Sequence, residues 1–205
     1  MLKSQTKDLN VSRETLERLQ IFADLLARWN ARINLIAPST VADMWHRHIV
    51  DSAQLFDHAP EGAQQWVDLG SGGGLPGIVC AILAQENRPN CQFTLIESDK
   101  RKAAFLMTAI RELGLNASVV AQRIEDVPGQ MADVVSARAL APLPVLLGLV
   151  SRHLRPDGMA LLLKGKSYAE ELAMAQAEWQ FSVTEIASQT DPLARLLILK
   201  DLARG

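Results

Sequence analysis

The chain has 205 residues, of which 48% are hydrophobic and 5% aromatic, and its formal net charge is −2. This length suits one globular domain with a small extension, and the balance of charge excludes a global cationic field, so a nucleic acid would need a local basic patch. The longest apolar runs are too short to span a bilayer, and Cys80 and Cys91 lack metal-ligand spacing.

Two cysteines without metal-ligand spacing suit a reducing compartment. The N-terminal sequence MLKSQTKDLNVSRE has no apolar core of the kind that a signal peptide carries. We therefore expect a cytoplasmic, monomeric protein with neither a membrane nor a metal among its partners.

Two helices are predicted at the start of the chain. Residues 12–33 carry apolar side chains at helical intervals, and Ser12 is a residue type that caps helix N-termini. The same pattern returns over residues 40–56. Pro60 and Gly62 then mark a boundary.

Short apolar runs follow, separated by helical stretches. They are WVDLG (66–70), FTLIES (93–98), SVVAQ (118–122), DVVSARA (133–139) and MALLLKG (159–165). Strands spaced by helices predict βαβ units and a mostly parallel sheet. The last two runs, 181–187 and 194–202, are joined by a short loop, which predicts an antiparallel hairpin at one edge. We thus predict an α/β fold, a doubly wound Rossmann-like sheet over residues 61–205, preceded by a helical extension over residues 1–60.

The stretch WVDLGSGGGLPGIVCAIL, residues 66–83, places five glycines within eight positions. Glycine costs about 0.5–1 kcal/mol relative to alanine inside an element, so a bare turn would use fewer. The turn after the first strand of such a sheet faces ligands, and Pro76 suits the first position of the helix that follows. The stretch predicts a ligand-binding turn; a tight turn without a ligand is the alternative.

Two kinds of cofactor are compatible with this turn. Gly72, Gly74 and Gly77 match the dinucleotide pattern GxGxxG, and Glu97 follows Gly77 by 20 residues, where an acid would bind ribose hydroxyls. Asp68, however, lies inside the strand, and its carboxylate would repel a pyrophosphate. A cationic cofactor without phosphate, such as S-adenosylmethionine, avoids that repulsion, and we favour it.

Six segments give the chain a more specific signature. They are WNARINL (29–35), RHIVDS (47–52), VDLGSGGGLPGI (67–78), LIESDKRKAAFL (95–106), SARALAPL (136–143) and LLLKG (161–165). In order and spacing they resemble the RsmG (GidB) family, S-adenosylmethionine-dependent guanine-N7 methyltransferases of bacterial 16S ribosomal RNA. The resemblance implies S-adenosylmethionine as methyl donor, and 16S ribosomal RNA or the small ribosomal subunit as partner.

The cofactor site is expected to combine two sets of residues. Those implied by the resemblance are Gly70, Leu75, Ile124, Glu125 and Arg138. Those that the local sequence adds are Asp68, Gly72 and Glu97.

Structural roles are the alternatives for three of these positions. Glu97 could form an ion pair with Lys100 or Arg101, and the pair 124–125 could cap a helix. Arg138 lies in an otherwise apolar segment, so it should either face a ligand or form a structural ion pair.

The expected chemistry needs no general base, because guanine N7 carries a free lone pair and no proton. Catalysis would then consist of positioning, and Arg138 and Lys164 are the best candidates for it. The RNA contacts that we predict are Arg101, Lys102, Lys164 and Lys166, with Lys100, Arg28, Arg32 and Arg47 as further candidates. Except for Lys164, which closes an apolar strand at the ligand-facing edge, a solvated basic face is the alternative.

His48 and Asp51 lie three residues apart in the second predicted helix. This spacing favours a hydrogen-bonded packing pair over a catalytic pair. Three other functions stay open at this point. They are a methyltransferase of a small molecule or protein, a nicotinamide-dependent oxidoreductase, and a module that senses S-adenosylmethionine without catalysis.

Overall fold

The computed structural model describes residues 9–205 and contains one seven-stranded sheet of order β3-β2-β1-β4-β5-β7-β6. The strands are β1 (Gln65–Leu69), β2 (Gln92–Ile96), β3 (Ala117–Val120), β4 (Ala132–Arg138), β5 (Leu154–Lys164), β6 (Trp179–Ala187) and β7 (Arg195–Arg204). Strands β1 to β5 are parallel, and β7 pairs antiparallel with both β5 and β6. The predicted parallel sheet and the edge hairpin are both confirmed.

Five helices of eight residues or more lie among the described residues. They are α1 (Arg13–Asn30), α2 (Gly77–Asn87), α3 (Lys100–Leu113), α4 (Leu143–His153) and α5 (Tyr168–Gln176). Side chains alternate across β1, so Trp66 packs in the cluster that contains residues of α1, α2 and α3, whereas Val67 packs with residues of α4 and α5. The sheet is therefore covered on both faces, as a doubly wound fold requires.

Helix α1 begins as the sequence predicts. The Ser12 hydroxyl accepts a hydrogen bond from the backbone N–H of Thr15 at 3.2 Å and caps the helix. The buried side chains Leu19, Phe22 and Leu26 join the hydrophobic cluster of α2 and α3. The extension thus shares its core with the sheet, and the boundary at residue 60 remains a prediction.

The second predicted helix, residues 40–56, is wrong as a single regular element. The chain forms a 3₁₀ helix (Pro38–Asp43), one wide π turn (Trp45–Val50), a short α turn (Asp51–Ala53) and a second 3₁₀ turn (Phe56–His58). Several polar side chains here bond to groups outside the segment, and these tertiary bonds compete with regular helix geometry. Single π turns are frequent at functional sites.

No helix among residues 9–205 is long and apolar enough to cross a membrane.

Gly77, the first residue of α2, lies in close contact with β1. An added Cβ would lie 2.7 Å from Oδ2 of the buried Asp68, so Gly77→Ala should lower the free energy of unfolding. We expect a loss of about 1–3 kcal/mol, which is typical of overpacking. Chemical denaturation measures it.

Gly148 in α4 is the matched control, because the nearest atom to its added Cβ is Trp179 Cζ2 at 4.0 Å. Gly148→Ala should stabilise the protein by up to about 1 kcal/mol through helix propensity. Similar effects of the two substitutions would contradict the packing described for Gly77.

Candidate functional site

The sheet changes direction of winding between β1 and β4, which are neighbours in space but not in sequence. In doubly wound folds, ligands bind outside the carboxyl ends of the strands at such a switch point. The glycine-rich turn follows β1 at this position. The fold therefore places the predicted ligand-binding turn where the architecture favours a site.

The turn depends on glycine at two positions for different reasons. Gly70 has φ +62°, and a Cβ there would lie 2.5 Å from Leu140 Cδ1. Gly72 has φ +52°, and the nearest atom to its added Cβ is the Gly70 carbonyl at 3.7 Å. Leu140 thus fills the space where a side chain on Gly70 would lie, whereas the space next to the Gly72 backbone is open to an approaching ligand.

Glu97 at the end of β2 holds the turn in place. Its Oε2 accepts a hydrogen bond from the Gly72 N–H at 2.8 Å, and its Oε1 accepts one from the Asp99 N–H at 2.7 Å. Among the described residues Glu97 forms no ion pair, and Arg101 lies instead 3.6 Å from Asp99. Each carboxylate oxygen keeps a lone pair, so the contact with ribose hydroxyls remains a prediction that this geometry allows.

Asp68 lies beneath the turn with only 1% of its surface exposed. Its Oδ1 accepts a hydrogen bond from the Ser136 hydroxyl at 2.6 Å, and Ser136 in turn accepts one from Trp66 Nε1 at 2.9 Å. Among residues 9–205, the buried Oδ2 has no hydrogen-bond partner of ordinary geometry, although the Gly77 N–H lies near enough to lower the pKa of this carboxyl group. Burial raises the pKa of Asp68 to about 6, against the lowering effect of the Ser136 hydroxyl.

The other predicted cofactor residues differ in their exposure. Leu75 and Ile124 are 5% and 8% exposed, and both side chains belong to the hydrophobic clusters. Glu125 is exposed in the short 3₁₀ turn Ile124–Asp126, which has no side-chain cap. Ile124 and Glu125 therefore do not cap a helix, which was the alternative to a cofactor contact. The cofactor contacts at Leu75, Ile124 and Glu125 remain predictions.

A cavity of about 420 Å³ lies at the carboxyl ends of β4 and β5. Residues of the glycine-rich turn do not line it; the turn lies one strand away, after β1, which pairs with β4. Its walls come from the extension, from the ends of these strands and from the loop between β6 and β7. The charged side chains that line it are Arg47, Asp51, Arg138, Lys164, Lys166, Glu171 and Asp191. The cavity thus brings together the two residues predicted to position the reactants, Arg138 and Lys164.

Arg138 projects from the end of β4 into a set of polar partners. Its Nη1 lies 2.9 Å from His48 Nδ1, 3.4 Å from the Arg47 carbonyl and 3.5 Å from Asp51 Oδ2. Its side chain is 18% exposed and lines the cavity. The sequence left two roles open for Arg138, a structural ion pair or a side chain that faces a ligand site. Arg138 forms an ion pair with Asp51 and also faces the cavity.

Lys164 at the end of β5 is also held in place. Its Nζ pairs with Glu171 Oε2 and donates a hydrogen bond to the Ala141 carbonyl at 2.9 Å. The side chain is only 10% exposed. The ammonium is thus positioned at the cavity wall, and its contact with RNA remains a prediction.

The remaining predicted RNA residues lie at the surface. Lys166 is exposed and lines the cavity. Arg101 and Lys102 lie in the first turn of α3, close to the glycine-rich turn. No group of histidine, cysteine or acidic residues among residues 9–205 could hold a metal ion.

Sequence reasoning missed how the hairpin loop joins this site. Asp51 Oδ1 accepts hydrogen bonds from the hydroxyls of Ser188 at 3.2 Å and Thr190 at 2.8 Å. Gln54 adds a third bond to the same carboxylate oxygen at 2.9 Å. The motif RHIVDS contains Asp51, but nothing in the sequence indicates that a loop more than 130 residues away would bind it.

Comparisons with known proteins identify the chain. The family model described as rRNA small subunit methyltransferase G, GidB, matches residues 15–194. The chain belongs to this family. The predicted family and enzyme class, an S-adenosylmethionine-dependent methyltransferase, are therefore confirmed.

Two relatives in this family illustrate the similarity. A protein of Ruegeria pomeroyi named ribosomal RNA small subunit methyltransferase G is 50% identical over 204 residues, which is 100% of both chains. A protein of Cereibacter sphaeroides with the same name is 53% identical over 195 residues, covering 95% of this chain and 94% of the relative.

Solved structures confirm the fold of this family member. The O-methyltransferase TomG from Streptomyces achromogenes, in complex with S-adenosylmethionine, aligns with a TM-score of 0.60 at 15% identity, covering 90% of this chain and 89% of that one. A methyltransferase from Aquifex aeolicus gives a TM-score of 0.57 at 12% identity, with 89% and 97% covered. The Rossmann-like methyltransferase fold is therefore confirmed.

Asp68 predicts a pH dependence of stability. Its pKa rises from 3.8 to about 6 on folding, so the unfolded chain loses this proton first as the pH increases. Wild-type stability should therefore fall between about pH 4 and pH 6 and then level off, with a change on the order of 3 kcal/mol from this group. Asp68→Asn should lack this contribution.

Urea denaturation of both proteins at several pH values between about 4 and 7 measures the difference. Other carboxyl groups titrate in the same range, and they cancel when the two proteins are compared. An unchanged difference in unfolding free energy across this window would contradict the raised pKa.

Proposed function

We propose that this chain transfers a methyl group from S-adenosylmethionine to N7 of a guanine in 16S ribosomal RNA. The observation that carries the proposal is the cavity one strand away from the glycine-rich turn, in which Arg138 and Lys164 are held at the carboxyl ends of adjacent strands. A nucleotide in this cavity would lie next to a cofactor on the turn. The names of the relatives, which specify small-subunit ribosomal RNA, support the choice of substrate.

The turn fits S-adenosylmethionine by three independent features. Gly72 leaves backbone space for a ligand, and Glu97 keeps lone pairs for ribose hydroxyls. Below the turn, Asp68 provides a buried oxygen without a hydrogen-bond partner of ordinary geometry in the described part of the chain, which suits a cofactor with cationic groups and no phosphate. Further contacts would come from Gly70, Leu75, Ile124, Glu125 and Arg138.

The cofactor, when bound, supplies an electrophilic methyl group on a sulfonium. Guanine N7 has a lone pair ready to attack it, so the protein need not remove a proton. His48, the titratable imidazole at the cavity, is unsuited as a base, because burial and the neighbouring Arg138 lower its pKa to about 4. Holding N7 in line with the methyl group can supply roughly 7–11 kcal/mol of the barrier.

The charges in the cavity suit this transfer. Methyl transfer to N7 would leave the guanine ring with a positive charge. Asp51 and Glu171 place carboxylates in the walls, each paired with a cation, Arg138 and Lys164 respectively, and Arg138 has N–H groups for a phosphate of the nucleotide. Because Lys164 is already paired, it adds little net charge and serves to fix the position of Glu171.

A second surface supports RNA as the partner. A groove of about 750 Å³ runs between α1 and α3, and its lining includes Arg28, Trp29, Arg32 and Arg101. Arg28 and Arg32 are exposed, and neither has an ion-pair partner within 4.0 Å among residues 9–205. Arginines beside an aromatic ring suit phosphates and unstacked bases. Arg101, in the first turn of α3, also lines the groove.

The substrate assignment can be tested directly. The pure protein, incubated with labelled S-adenosylmethionine and small ribosomal subunits or free 16S RNA, should place the label on guanine N7 at one site. Borohydride and aniline treatment, which cleaves RNA at 7-methylguanosine, maps that site. Arg138→Ala should reduce kcat/KM by about 100-fold, the size expected for a lost charged contact. Label on another base, or on protein alone, would overturn the assignment.

The groove predicts a salt dependence of RNA binding. Reversing Arg28 and Arg32 to Glu should flatten the slope of log K against log salt by roughly 0.7 per lost phosphate contact. S-adenosylmethionine affinity should not change, because neither residue contacts the turn.

Arg111→Glu provides the control. This residue is exposed in the last turn of α3 but does not line the groove, so its reversal should leave the slope unaltered. Filter binding over a salt series measures all three proteins. Equal slopes for the double variant and the control would remove the groove from the RNA-binding surface.

A further inference from the structure

A chain of hydrogen bonds connects the extension to Arg138. His48 lies in the π turn with 8% of its surface exposed, and its two ring nitrogens contact different elements. Nε2 lies 2.7 Å from Thr40 Oγ1 in the preceding 3₁₀ helix, and Nδ1 lies 2.9 Å from Arg138 Nη1 at the end of β4. We propose that His48 is a positioning residue, a neutral acceptor that orients the Arg138 guanidinium toward the cavity.

The direction of each proton follows from the partners. Thr40 Oγ1 donates its only hydrogen to the Ala37 carbonyl at 2.8 Å, so it can only accept from His48. Nε2 of His48 must therefore carry the hydrogen. Nδ1 is then the acceptor, which matches a guanidinium that can only donate. The bond from Thr40 to the backbone thus selects the tautomer that binds Arg138.

These contacts use one end of the guanidinium and leave the other free. Nη1 carries two N–H groups and contacts His48, Asp51 and the Arg47 carbonyl. Nη2 and Nε make no hydrogen bond to any residue among 9–205. Their three N–H groups remain for an anionic group of a ligand in the cavity that Arg138 lines.

A neutral acceptor has an advantage over a carboxylate at this position. A carboxylate at 2.9 Å would orient Arg138 equally well but would neutralise much of its charge. His48 orients the side chain without adding a second negative charge to the ion pair with Asp51, which lies farther away at 3.5 Å. The other oxygen of Asp51 is bonded to Ser188, Thr190 and Gln54. The arrangement therefore preorganises a cation for binding an anion.

The backbone after Arg138 restricts the side chain further. Ala139 has φ +50°, a left-handed conformation that non-glycine residues rarely adopt, and it also lines the cavity. Strain of this kind persists only where the surroundings fix the chain, and it clusters at functional sites. Both the backbone and His48 thus hold Arg138 in one orientation.

Two substitutions of His48, to Asn and to Gln, distinguish the roles of its two ring nitrogens. In His48→Asn, the amide oxygen takes the place of Nδ1, so the bond from Arg138 survives and the bond to Thr40 is lost. In His48→Gln, the amide reaches the place of Nε2, so the bond to Thr40 survives and the acceptor for Arg138 is lost. Both variants remove a buried ring and should lose similar thermal stability.

The inference rests on the proposed function, and methyl transfer to the small subunit is its activity readout. Because an unpaired buried donor costs about 1–3 kcal/mol, His48→Gln should lower kcat/KM by about tenfold or more, whereas His48→Asn should stay within about threefold of wild type. Equal losses in both variants would show that His48 acts only through packing and would overturn the proposal.

A second measurement tests the geometry without activity. In ¹⁵N NMR spectra of the wild-type protein at neutral pH, His48 should appear as the neutral tautomer with the proton on Nε2. A protonated or Nδ1–H imidazole would overturn the proposal even if both variants failed to fold. A wild-type protein that shows the expected tautomer but does not methylate RNA would instead contradict the proposed function.

Discussion

The site depends on one buried hydrogen-bond chain between the two central strands. Trp66 Nε1 donates to Ser136, and the Ser136 hydroxyl donates to Asp68, so β1 and β4 are linked where the sheet reverses its winding. A buried carboxylate is costly unless it is bonded, and this one keeps an oxygen without a partner of ordinary geometry among the described residues. The strands therefore support a destabilised group beneath the turn, and such groups are characteristic of sites built for a ligand.

The same carboxylate explains the local sequence. Gly77 must lack a side chain because Asp68 occupies the space next to it, and the Ser71 hydroxyl donates to the Asp68 carbonyl at 3.0 Å. Gly70 is required by contact with Leu140 and Gly72 by its positive φ. Several separate constraints therefore require glycine in this stretch, and the open backbone at Gly72 is the one that leaves space for a ligand.

The sheet and the glycine-rich turn could be predicted from the sequence because both depend on residues that are close together in the chain. Apolar runs of strand length alternate with helical stretches, and glycine reports on backbone conformation at its own position. The π turn over Trp45–Val50 was not predictable in this way, since the bonds that favour it join His48 and Asp51 to residues about 90 and 140 positions away. Lys164 was predictable only in part. Its position at the end of an apolar strand indicated the ligand-facing edge of the sheet, but its pairing with Glu171 depends on how α5 packs.

The basic residues therefore divide into two groups, one buried and held by fixed partners and the other exposed to solvent. Arg138 and Lys164 are mostly buried, and fixed partners hold them, so the fold sets their positions at the cavity. Arg28, Arg32 and Lys166 are exposed, so any attraction that they exert on an anionic partner would depend on salt. A chain with a net charge of −2 cannot attract RNA through its overall field. Under the proposed function, the exposed group would attract RNA locally, while the two buried cations would hold the reactants.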